Sequence, residues 1–263
     1  MPDPLLADSV TRLDGAQGRT VVTGSHGGVY AASLAYRSGC RAAVFHDAGV
    51  GLDSAGIGGL AWLDRAGMAA AAVNHRSAPI GDAAAMLAQG VISHVNAAAR
   101  ATGARPGMTC AEAAQLLEAA VPPSGEAPEI REGREDLQPL HGGRHLVLVD
   151  SASLVGPEDA GKVVVTGSHG AIFGGNPANA LKADAYLALF NDAGGAATSR
   201  LPALQARGIA AVTVAAKSAR IGDARSTYED GVISACNGLA AAMGATIGRS
   251  ARDFVNAALT QGT

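Results

Sequence analysis

Short apolar runs, each closed by a glycine or a polar residue, alternate along this chain with stretches of helical spacing. TVVTG from Thr20, AAVFHDA from Ala42 and MAAAAVNH from Met68 are too short and too evenly apolar for surface elements. They predict strands buried on both faces, as in a parallel sheet. VYAASLAYRSG from Val29 and IGGLAWLDRAG from Ile57 repeat their apolar residues at helical intervals and stop at glycine. A longer helix is expected from Asp82, whose carboxylate can cap free amides, towards Gly103. Strand and helix therefore alternate as β-α-β-α-β-α, which implies an α/β fold with a parallel sheet covered by helices on both faces. Such sheets bind ligands at the carboxyl ends of their strands.

The pattern then recurs. RTVVTGSHGG from Arg19 is matched by KVVVTGSHGA from Lys162, and VFHDAG from Val44 by LFNDAG from Leu189. HRSAPIGDA from His75 is matched by AKSARIGDA from Ala216, and GVISHVN from Gly90 by GVISACN from Gly231. LADS ending at Ser9 and LVDS ending at Ser151 extend the match, so that a short strand is expected to open each half. Blocks matched in one order predict tandem homologous repeats related by a pseudo-twofold axis. The expected division is 1–118 for the first repeat, 119–140 for a connector and 141–263 for the second. The connector holds PPSGEAPEIREGREDLQP, rich in proline and charge without an apolar period.

Composition narrows the function classes. Of 263 residues, 48% are apolar and 16% charged, the profile of a globular chain. A net charge of -3 without basic clusters argues against nucleic acid as a partner. No run is long enough for a membrane span, and MPDPLLADSV has acids and prolines where a secretory signal needs basic residues. A cytoplasmic protein is expected, with a small molecule and further copies of itself as partners. Cys40, Cys110 and Cys236 are widely spaced and odd in number, which supports neither a zinc knuckle nor a disulfide framework.

The matched polar blocks all follow strands, where ligand chemistry is expected. GSHGG (24–28) and GSHGA (167–171) lie between a strand and a helical stretch, with glycines for a tight turn and free amides that attract an anion. They lack the lysine of a phosphate-binding P-loop and do not fit GxGxxG, so a carboxylate or other small anion fits better than a nucleotide. Asp47 and Asp192 end a strand, where an acid can orient a histidine, act as a base or bind a metal. His46 precedes the first and Asn191 the second, a difference that hints at diverged tasks. Ser77 and Ser218 follow the third strand. Arg76 accompanies the first, Lys217 and Arg220 the second. Arginine can clamp a carboxylate, and lysine can activate a serine. Asp82 and Asp223 read as helix caps, while Asn96 and Asn237 fall inside the helix predicted after GVIS.

These observations point to an enzyme acting on a small carboxylate- or amide-bearing substrate, with C–N hydrolysis ahead of a lyase reaction. The alternative is a non-catalytic small-anion binder or an assembly protein. The catalytic candidates are His169, Asp192, Ser168, Lys217 and Ser218, with His26 and Asp47. The substrate-binding candidates are Ser25, Gly27, Gly28, Gly170, Arg76, Ser77, Arg220 and Asn191. In this reading the GSHG amides hold the anion, a histidine moves a proton, an aspartate orients it, and Lys217 and Arg220 neutralise substrate charge. Those two cations favour the second half. No cofactor is expected. A divalent metal is the minor alternative, with His26, His46, Asp47, Asp53 and His75 as its ligands. The glycine-rich stretch GVGLDSAGIGG (49–59) of the first half is a candidate lid.

Overall fold

The computed structural model describes residues 3–126, 128–137 and 143–260. The chain divides into two compact units. The first comprises the residues up to Val50 together with Ser54–Arg131, and the second Gly51–Asp53 together with the residues from Glu132 onward. The boundary expected between residues 140 and 141 lies outside the described residues.

In the first unit the sheet order is β1 (Leu5–Ala7), β2 (Thr20–His26), β3 (Ala42–His46), β4 (Ala69–Val73) and β5 (Ile92–Val95). The first four strands are parallel, and β5 runs antiparallel to β4. Alternate strand residues serve opposite faces. Val21, Ala43, Phe45, Ala70 and Ala72 pack with helices α1 (Val29–Arg37) and α2 (Gly58–Arg65). Val22, Ala42, Val44, Ala69, Ala71 and Val73 pack with residues of α3 (Ala83–Gln89), α4 (Ala97–Ala101) and α5 (Cys110–Leu117). Burial on both faces explains why an alanine run such as AAAAV, a poor strand former by itself, is held as a strand. Small side chains also let the helices approach the sheet closely.

The second unit holds six strands, in the order β11-β10-β9-β8-β7-β6. These are β6 (Arg134–Leu137), β7 (Leu146–Val149), β8 (Val163–His169), β9 (Leu187–Asn191), β10 (Ala210–Val214) and β11 (Ile233–Cys236). Strands β7 to β10 are parallel, while β6 and β11 are antiparallel to their neighbours. One face packs with α6 (Arg200–Ala206), the other with α7 (Ala224–Glu229), α8 (Gly238–Ala242) and α9 (Ala251–Thr260). Both sheets are thus mixed and mostly parallel, and the class is α/β. Residues 134–137, within the stretch predicted as connector, form exposed strand β6.

Two elements differ from expectation. The helix predicted from Asp82 to Gly103 is broken into α3, β5 and α4. Asp82 does cap α3, accepting from Ala85 N–H at 2.8 Å. Gly90 then turns extended, and a Cβ there would lie 2.3 Å from the Met86 carbonyl oxygen. The β-branched residues that follow add an edge strand, and Asn96 starts a new helix instead of lying inside one. Second, no α-helix follows β8. Residues 171–186 contain Gly174 and Gly175 at positive φ and a 3₁₀ turn at Pro177–Ala180. Buried Arg200 ties this segment to α6 by donating to the carbonyls of Ala171 (3.1 Å), Asn179 (3.2 Å) and Ala180. Burial pushes its guanidinium down to about 10.

Among the described residues no helix is long and apolar enough to cross a membrane.

Candidate functional site

In each unit the matched serines, histidines and strand-end aspartates gather at the carboxyl ends of the parallel strands, and most are committed to holding the loops there. Ser25 Oγ accepts from Val10 N–H and Ser168 Oγ from Ala152 N–H, both at 2.9 Å. Ser77 Oγ donates to the Asn74 carbonyl (2.8 Å) and accepts from Val91 N–H (2.9 Å). Ser218 does the same with the Ala215 carbonyl (2.7 Å) and Val232 N–H (2.9 Å). Its proton is directed at a carbonyl and its lone pair at an amide. Exposed Lys217 is not among its partners, and the Ser–Lys arrangement is not formed.

The amides expected to cradle an anion are also engaged. Gly27 N–H donates to the His46 carbonyl (3.0 Å) and Gly170 N–H to the Asn191 carbonyl (2.8 Å). Gly28 N–H donates to His26 Nδ1 (3.1 Å), and Ala171 N–H to His169 Nδ1 (3.3 Å). Gly28 clears space for that ring, since a Cβ there would fall 2.7 Å from His26 Nδ1 and Cε1. Arg220 is bound up with acids of its own unit. It meets Asp223 at 3.0 Å, Asp53 at 2.9 Å and Asp230 at 3.7 Å. Arg76 is exposed beside the first site.

The His46/Asn191 difference proves chemically small. Ala48 N–H donates to His46 Nδ1 (3.1 Å), so Nε2 carries the proton and donates to the Ala78 carbonyl (3.0 Å). Asn191 makes the same pair of bonds, accepting from Ala193 N–H (2.9 Å) and donating to the Ala219 carbonyl (3.1 Å). Burial holds His46 below its ordinary value, as expected of a neutral ring wedged between two backbone groups.

The consequential difference lies one strand further on. Asp47 Oδ1 accepts from Gly49 N–H (2.9 Å), His75 N–H (2.9 Å) and His75 Nδ1 (3.0 Å). Asp192 Oδ1 accepts the two corresponding backbone bonds, from Gly194 (3.0 Å) and Ala216 (2.9 Å), but Ala216 has no ring to offer. The first unit therefore holds an Asp–His pair at its strand ends, with the carboxylate 2% exposed and the imidazole 18% exposed, and Ala216 leaves no such pair to Asp192 at the matched position. His26 lies beside His46, on the paired positions of β2 and β3. Burial, and secondarily the neighbouring His46, push His26 down to about 4. Ala48 and Val50, just after Asp47, have φ of 49° and 63°. The left-handed region is costly for β-branched valine, and strain of this kind collects at functional sites.

Sequence reasoning placed His75 only in a metal set, and that set does not assemble. Asp53 pairs with Arg220 in the second unit, both His46 nitrogens are used, and His75 Nδ1 faces Asp47. Among the described residues no three His, Cys, Asp or Glu side chains are grouped to hold a metal ion. The signal that could have found the pair was available. His75 follows a strand beside the one that ends in Asp47, and alanine replaces it in the matched block. Asn96 and Asn237, read as helix-interior residues, are caps that also tie helix to sheet. Asn96 Oδ1 accepts from Ala70 (3.0 Å) and Ala99 (2.9 Å), and Nδ2 donates to the carbonyls of Met68 (2.8 Å) and Leu60 (3.3 Å). Asn237 repeats this with Ala211, Ala240, Ile209 and Leu201.

Fold and site together define an α/β protein with a paired aspartate and histidine at the strand ends of its first unit. Comparison with protein families, curated proteins and solved structures finds no match.

Proposed function

We propose that this chain is an enzyme of small-molecule metabolism that hydrolyses a C–N bond in a small carboxylate- or amide-bearing substrate. The observation that carries the reading is the Asp47–His75 pair, placed where parallel sheets bind ligands. A carboxylate only accepts, so His75 Nδ1 donates to it, and the neutral ring presents the lone pair of Nε2. That is the state of a general base, with Asp47 fixing tautomer and orientation. In this proposal the proton carrier belongs to the first unit, although the cations of the second favoured that half from sequence. The hydroxyls and amides that hold the loops act as scaffold in this reading, and Arg76 is the cation nearest in sequence to the base. Proton transfer is assigned to imidazole without a metal or other cofactor.

The same proposal takes the units as tandem repeats related by a pseudo-twofold axis, in a cytoplasmic homo-oligomer. The recurrence of the serine, aspartate and asparagine ties just described supports the repeat part of this proposal. A non-catalytic small-anion binder is the second reading, favoured by the engagement of so many polar groups in local structure.

The test is a panel of small carboxylates, linear amides and cyclic amides, read by thermal shift and by NMR for amine release, with and without chelator. A ligand at a hundred times its dissociation constant stabilises by about 2.7 kcal/mol. Wild type is expected to bind and turn over at least one compound with chelator present, and Asp47→Ala to lose turnover. Binding without turnover in wild type would establish the binder instead. No shift by any compound would remove both readings.

A further inference from the structure

The first unit sets out two imidazoles whose tautomers are locked in opposite senses. His26 Nδ1 accepts the Gly28 amide, so its proton sits on Nε2 and that atom can only donate. His75 Nδ1 donates to Asp47, so its neutral Nε2 can only accept. Neither Nε2 has a partner among the described residues, and neither is among the fully buried polar atoms left unsatisfied. Between them His46 has both nitrogens committed to backbone and offers neither donor nor acceptor. His26 and His46 end β2 and β3 at paired positions, and His46 pairs with Val73 at the end of β4, two residues before His75. With neighbouring strands about 4.8 Å apart, the strands β2 and β4 that lead to the outer rings lie about 10 Å apart across β3.

We infer that His26 is a second catalytic residue, a neutral hydrogen-bond donor that polarises the substrate carbonyl while His75 acts as general base. This rests on the hydrolytic reading of the same site. Water gives its proton to His75 Nε2 as its oxygen bonds to the carbonyl carbon. The C=O π pair moves to oxygen, which accepts from His26 Nε2–H. The pair then re-forms the carbonyl, the C–N bond breaks, and the proton on His75 passes to the departing nitrogen. His26 does not transfer its proton at any stage. Its burial fits this role, because a ring that resists a second proton stays a neutral donor. The substrate is therefore an uncharged carbonyl, an amide or cyclic amide, with any carboxylate held outside the two rings. In the second unit His169 Nδ1 likewise accepts from Ala171 N–H, and Ala216 stands at the position matched to His75.

Long-range ¹H–¹⁵N spectra of the uniformly labelled wild-type chain test the tautomers without any substrate. His26 signals are assigned by their loss in His26→Gln or His26→Asn, and His75 signals by their loss in His75→Gln. At about pH 7 the neutral His26 ring is expected with its proton on Nε2, and the neutral form of His75 with its proton on Nδ1. A charged His26, a His26 protonated on Nδ1, or a neutral His75 protonated on Nε2 would overturn the assignment, whether or not a substrate is known. With a substrate in hand, His26→Leu is expected to lose about 100-fold or more in kcat. His26→Gln, which keeps a donor near the Nε2 position, should retain more of the rate. Equal loss in both variants would mean that His26 transfers a proton, and the donor role would fall.

Discussion

Replacing His46 by asparagine and by leucine separates a chemical role from a scaffolding one. His46 bridges Ala48 N–H and the Ala78 carbonyl, at 1% exposure. Leucine fills much of the volume but leaves a buried donor and a buried acceptor without partners. At about 1–3 kcal/mol for each unsatisfied group, His46→Leu should cost about 2–6 kcal/mol. Asparagine can restore both bonds, as Asn191 does between Ala193 and Ala219. What it loses is ring volume, a cavity term of about 1 kcal/mol. Urea denaturation at about pH 8, where His46 is neutral in folded and unfolded chains, isolates these terms. The two variants should differ by about 1–5 kcal/mol, asparagine being the milder. Equal destabilisation would refute the view that His46 and Asn191 are interchangeable ties.

The same wild type should lose stability in mild acid. His26 is pushed down from 6.5 to about 4, so between those values the unfolded chain binds a proton that the folded chain refuses. Its contribution is complete above pH 6.5 and declines as pH falls to about 4. His26→Gln should flatten that decline in urea midpoints measured across the window. Asn96→Ala and Asn237→Ala each strand several buried backbone groups, and each should cost about 2–4 kcal/mol by urea denaturation. At Asp159, burial would raise the carboxyl, but Arg134, the Gly156 amide and Lys162 outweigh it and hold it at about 2. That stability is present above the ordinary 3.8 and is lost as pH falls towards about 2. Asp159→Asn should remove this part of the acid transition, seen by circular dichroism. Gly28→Ala has backbone angles that alanine accepts, at φ -71°, but its methyl would strike the His26 ring. It should stay folded and shift the His26 nitrogen resonances.

The α/β class was legible because buried strands such as TVVTG and AAVFHDA carry apolar residues on both faces. Glycine stops and the Asp82 cap fixed where α1, α2 and α3 end or begin. The strand at GVIS was not legible as such. A helical pattern ran through it, and the contacts that end α3 at Gly90 are steric ones with its own preceding turn. Nor could composition alone show that Arg200 replaces a helix as the anchor of residues 171–186. At the site, residue types recurring in both halves looked like chemistry, yet most of them bond backbone. Ser25, Ser77, Ser168 and Ser218 are satisfied by amides and carbonyls a few residues or one strand away. Hydrogen-bond partners of this kind follow from three-dimensional loop geometry, to which spacing gives no access. The informative position was the one that differs in capability, His75 against Ala216, and not the one that differs only in name, His46 against Asn191.

The central question is which unit carries the base. The deciding measurement is the turnover rate of one hydrolysed panel compound by His75→Ala and by His169→Ala, each checked for folding by its urea transition. A loss of about 100-fold or more is expected for His75→Ala and a rate near wild type for His169→Ala. The reverse pattern, activity kept without His75 and lost without His169, would contradict this expectation and return the chemistry to the second unit.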